Sequence, residues 1–137
     1  MSAHYEVVFS CFLRDDTPAE ILDALRWHLG LVAGQPADSE PGQRPLLLPD
    51  PASSLPGGDV ASLRFQSHGI DTSGRAAAWG LFSRSLWPDD AMGQLSTIME
   101  LIAPHVAREG YGGYFRDVTT ADATAFEFRP AESAATP

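Results

Sequence analysis

A chain of 137 residues falls in the usual size range of one domain, roughly 100–150 residues. At that length a domain buries about two-thirds of its unfolded surface and needs no disulfide or metal to fold. Eighteen acidic residues face nine arginines, with no lysine, giving a net charge of −9; so negative a surface repels phosphate backbones and anionic lipid, which argues against nucleic-acid and membrane partners.

Cys11 is the one cysteine, which excludes an internal disulfide and fits a reducing compartment. The opening MSAHYEVVFS lacks the basic and then apolar pattern of a secretory leader. No apolar run approaches the roughly 20 residues that cross a bilayer. The expectation is a cytoplasmic protein.

In chain order, YEVVFSCFL (5–13) predicts a strand with Tyr5, Val7, Phe9, Cys11 and Leu13 on one side and Glu6, Val8, Ser10 and Phe12 on the other. "TPAE" then announces a helix, with Thr17 as cap, Pro18 in the first helical position and Glu20 closing a capping box. Ile21, Leu22, Leu25, His28 and Leu29 give it helical periodicity, and Gly30 stops it. Residues 33–59 hold six of the eleven prolines and predict a long irregular loop, pinned by Leu46 to Leu48.

"ASLRFQSHG" (61–69) alternates as a strand, "GIDTSG" turns, and "RAAAWGLFSRSLW" (75–87) returns as its hairpin partner. "PDD" opens a second helix with favourable early negative charge, whose apolar stripe is Met92, Leu95, Met99, Ile102 and Val106. Pro104 should kink it late or loosen its last turn, and Gly110 should stop it. "YGGYFRDV" and "ATAFEFRP" (123–130) are read as two further strands, leaving 131–137 as a disordered tail.

The glycines of "REGYGGYFRD" (108–117) invite a phosphate-loop reading. Such loops run from a strand into a helix N-terminus, where N–H groups converge; here the order is helix to strand, so the dipole points the wrong way. Gly112 and Gly113 are read as a bulge or a close backbone approach. The order β-α-loop-β-β-α-β-β predicts one α+β domain over 1–130, a ferredoxin-like sandwich with one added strand: an antiparallel sheet of about five strands, two helices on one face and a long irregular loop after the first helix. Many functions share that architecture, so it predicts none of them.

No catalytic constellation is identified. Histidines 4, 28, 68 and 105 share no metal-ligand spacing, and no cofactor is expected. His28 belongs with the packing residues of the first helix. Cys11 sits within a strand as a small hydrophobe. No serine occupies a Gly-x-Ser-x-Gly elbow, and Asp15-Asp16 and Asp89-Asp90 precede helices, where capping accounts for them.

One arrangement carries a site hypothesis. If Trp79 and Leu81 lie beside Leu63 and Phe65 in the core, alternation sends Arg64, Gln66, His68, Phe82 and Arg84 to the helix-free face. Glu6, Ser10, Phe12 and Arg14 join them from the first strand, Tyr114 and Arg116 from the fourth, Glu127 and Arg129 from the fifth. A one-residue slip would invert any of these assignments. Three readings follow: a solvated face of cross-strand ion pairs, a homodimer interface, or a pocket for an anionic or aromatic small molecule. The first function expected is a non-enzymatic domain acting through self-association or contacts with an unknown protein partner. The alternative is a cofactor-free enzyme or ligand-binding protein of the dimeric α+β barrel type, with Arg64, His68, Phe82, Arg84, Tyr114 and Arg116 at the pocket and His68 as the proton carrier.

Overall fold

The computed structural model describes residues 4–35, 43–67 and 77–129. Within them the chain forms β1 (His4–Leu13), α1 (Ala19–His28), β2 (Val60–Ser67), β3 (Ala77–Pro88), α2 (Leu95–Ile102), β4 (Gly110–Asp117) and β5 (Thr124–Phe128). The strands make one sheet in the order β2-β3-β1-β4-β5, with every neighbouring pair antiparallel. The architecture is α+β. The turn expected over 69–74 and the tail at 131–137 lie outside the described residues.

Strand alternation fixes which face meets the helices. Val7, Phe9 and Leu13 of β1 share one buried cluster with Leu63, Leu81, Trp87, Phe126 and Phe128 of the sheet, Leu22, Leu25 and Leu29 of the α1 segment, and Ile98 and Ile102 of α2. Each such side chain taken fully out of water contributes about 1.5–3 kcal/mol. Phe126 stacks between Phe9 and Phe115, at centroid separations of 5.2 and 5.6 Å. The hairpin register matches the expectation, pairing Leu63 with Leu81 and Phe65 with Trp79. Phe65 departs from it in burial: near the end of β2 it is 56% exposed, with its ring edge on Trp79.

The helices depart further from expectation. Thr17 does not cap α1; its hydroxyl donates back to the Arg14 carbonyl at 2.6 Å, and Pro18, which has no N–H, holds the N-cap position without a side-chain cap. The second helix is α-helical only over Leu95–Ile102, between 3₁₀ segments at Asp89–Gln94 and Ala103–His105. Its buried residues are Ile98 and Ile102, and Ile98 was absent from the expected stripe. Pro104 lies in the second 3₁₀ segment, where its missing N–H ends the α-helical ladder. The helix therefore ends well before Gly110, which instead begins β4.

Gly112 and Gly113 do what their neighbourhood suggested. The β4–β5 register shifts between Tyr111 and Gly113, a bulge at Gly112, whose missing Cβ leaves room for the Phe128 ring. Gly113 has φ +136°, and a Cβ there would run into the Val8 carbonyl. The proline-rich loop, where described, has no helix or strand. His28 holds it: the Leu46 N–H donates to His28 Nδ1 at 3.1 Å and the Leu47 N–H to the His28 carbonyl at 3.0 Å. Leu47 is fully buried, whereas Leu48 is exposed. Burial lowers the His28 pKa to about 4, so its imidazole stays neutral and able to accept.

Candidate functional site

The helix-free face comprises the even-numbered residues of β1, β2 and β3, continued on β4 by Tyr111, Tyr114 and Arg116 and on β5 by Glu127. Its two ends differ in construction. At one end Glu6 pairs across to Arg116 and neighbours Arg84 and Tyr114. Arg84 Nε donates to Glu6 Oε2 at 2.8 Å and Arg116 Nε to Oε1 at 2.7 Å, while the Tyr114 hydroxyl lies 3.3 Å from Oε2. Arg84 also donates to the Pro56 carbonyl at 2.6 Å and Arg116 to the Thr120 carbonyl at 2.9 Å, drawing two loops onto the cluster.

Glu6 is 4% exposed. Burial alone would raise its pKa, but the hydrogen bonds and charges of Arg84 and Arg116 outweigh it and hold the carboxyl below the usual carboxylate range. Tyr114 moves upward, through burial and then the adjacent Glu6 charge. Alternation thus places Arg84, Tyr114 and Arg116 together, but around a carboxylate that consumes them. Sequence reasoning assigned Glu6 to this face without seeing that it would organise the cluster. The signal was available: a carboxylate on the central strand with an arginine at reach on each neighbour.

At the other end lies a groove of about 800 Å³. Ser10, Ser62, Gly80 and Gln66 contribute to its floor, Phe12 and Phe82 stand across it, and Tyr111 with the Arg14–Asp16 turn borders it. Phe12 is 37%, Phe82 39% and Tyr111 60% exposed. Two backbone hydrogen bonds set the border, Ala107 N–H to the Phe12 carbonyl at 2.8 Å and Arg14 N–H to the His105 carbonyl at 2.9 Å. Arg14 is held by Asp16 at 3.0 Å and by the Pro104 carbonyl at 3.1 Å. Cys11 also borders the groove, yet burial pushes its thiol up to about 12, so it stays protonated.

Of the remaining sequence candidates, Arg64 is exposed on β2 opposite Gly80, and His68 lies outside the described residues. Glu127 and Arg129 are exposed at the β5 edge. Among the described residues no group of three or more His, Cys, Asp or Glu is placed to hold a metal ion, and no helix is long and apolar enough to cross a membrane. Comparison with known proteins returns no matching family model, no matching curated protein and no matching solved structure.

Proposed function

We propose that this chain is a ferredoxin-like domain with an added edge strand, working through self-association across its helix-free sheet face. The strand order, with a helix in each of the two connections that return to the sheet, supports the architectural name. The observation that carries the function is the charge balance of that face. On its strands and around its groove, Arg14, Arg64, Arg84, Arg108 and Arg116 are matched by Glu6, Asp15, Asp16, Glu109 and Glu127. The −9 of the whole chain is therefore carried elsewhere, and two copies can meet on this surface with little local repulsion. It also exposes Phe12, Val60, Phe82 and Tyr111, the apolar and aromatic content that interfaces concentrate.

Contact rather than turnover is supported by how the ionisable groups are spent: Glu6 on two arginines, Arg14 on Asp16. Light scattering after size exclusion, over a range of protein concentrations, tests the reading. A species of twice the chain mass is expected, shifting toward monomer in Phe82→Asp and in Val60→Asp. A monomer at every concentration would sink it.

A further inference from the structure

We infer that the cleft between the 43–46 segment and the 3₁₀ segment after β3 binds a small carboxylate that carries a neighbouring amide and an apolar body. That is the chemistry of an N-acylated amino acid or of the last residue of a peptide. The cleft measures about 670 Å³, within the range of small-molecule pockets, roughly 300–1,000 Å³. It shares no lining residue with the groove on the helix-free face, so the inference stands apart from self-association.

Sheet topology opens the cleft. β3 pairs with β1 as far as Pro88, whereas β2 begins at Val60, opposite Arg84. The last residues of β3 therefore have a strand on one side only. In an antiparallel pair, alternate residues turn their N–H and carbonyl away from the partner. Among the described residues, no loop or helix backbone bonds to Ser85, Leu86 or Trp87. The facing wall is anchored: the Leu46 and Leu47 N–H groups both donate to His28, and Leu47 is fully buried. Arg44 projects from this fixed segment.

The lining supplies three kinds of contact. Arg44 is the one charged residue in it, and among the described residues its guanidinium has no ion pair or hydrogen bond. Such a fork matches a carboxylate. The side-chain amides of Gln43 and Gln94 and the Thr97 hydroxyl are likewise unbonded there, and they offer donors and acceptors to a ligand amide. Leu46, Leu86 and Ala91, each half-buried, give the apolar body a surface. Asp89 and Asp90 stand outside the lining and are exposed, where physiological salt screens their repulsion over about 8–10 Å.

The test is an amide-detected NMR titration of the full chain with N-acetyl-L-leucine at physiological salt. It is run beside the neutral N-acetyl-L-leucinamide and beside N-acetylglycine, which lacks the apolar body. Saturable shifts are expected at the Arg44 Nε–H and at the Gln43 and Gln94 side-chain amides, with none at Gly80. Both comparison ligands should bind roughly tenfold more weakly. Arg44→Gln should weaken N-acetyl-L-leucine by a similar factor, its spectrum reporting that the fold is intact. N-acetyl-alanyl-alanyl-leucine separates the two sources: tighter binding than N-acetyl-L-leucine assigns the cleft to a peptide end, equal or weaker binding to a free acid. Retained binding in the monomeric Phe82→Asp chain supports the site whether or not the wild type self-associates. No saturation by N-acetyl-L-leucine, equal binding of its neutral amide, or undiminished binding in Arg44→Gln would overturn the inference.

Discussion

The two ends of the helix-free face are built from the same strands by the same alternation, yet one end is locked and the other open. At the Glu6 end, opposite charges on three adjacent strands fall within reach, and two loops close over them. At the groove end the corresponding positions hold the uncharged Ser10, Gly80 and Ser62 between aromatic side chains. The lesson is that charge on a sheet face is not by itself a sign of a binding surface. Where register lets arginines find a carboxylate they become part of the framework, and the available surface is the part that register left unpaired.

Four changes break or sharpen that contrast. Gly113→Ala should have the largest effect: φ +136° and the Val8 carbonyl against the new Cβ should cost about 3 kcal/mol or more. Chemical denaturation would read this as loss of the β1–β4 seam that carries Glu6 to Arg116. Glu6→Gln should cost about 2–3 kcal/mol, somewhat below the roughly 3–5 kcal/mol for stranding a fully buried charge, because both arginines keep some contact with water. An unchanged denaturation midpoint would mean that the cluster is not a lock.

Acidification should act next and in two windows. The His28 pKa falls from 6.5 in the unfolded chain to about 4 in the folded one, so protons favour unfolding, and stability present above pH 6.5 is lost as the pH drops toward 4. The Glu6 carboxyl is likewise depressed; its contribution, intact above the ordinary value of 4.5, is lost below that pH as the folded carboxyl titrates. Melting temperature against pH should therefore decline from 6.5 downward and steepen below 4.5. Amide shifts at Leu46 should stay put through most of the first window and move only near pH 4, as the folded imidazole titrates, while those at Ser62 and Gly80 stay put until global unfolding. The smallest effect is expected at the open end, where Phe82→Ser, compared at concentrations low enough for both chains to be monomeric, should change stability by no more than about 0.5 kcal/mol. A larger loss would show Phe82 to be framework after all.

Much of the fold was legible because it rests on local rules. Period-two alternation marked β1, β2 and β5, the turn signal marked β3 as a hairpin return, Gly30 marked the end of the first helix, and Gly112 and Gly113 marked the bulge and the close approach. The second helix was less legible: its apolar residues suit a longer helix, but the 3₁₀ segments around it are set by Pro104 and by how the chain reaches β4 after Val106 bridges to Leu13. Thr17 carried a capping signature and bonded to Arg14 instead, since a hydroxyl next to a turn has two nearby partners and local sequence does not choose between them.

The candidate site divides along the same line. Residue parity, read from the sequence alone, determined which side chains share the helix-free face, because side chains on a strand alternate whatever surrounds them. Which of those side chains remain available was decided only in the folded chain. Strand order put Glu6 between Arg84 and Arg116, and the loop at Pro56 came to rest on Arg84. Those partners are tens of residues apart in sequence, and the distance between them depends on register and loop path.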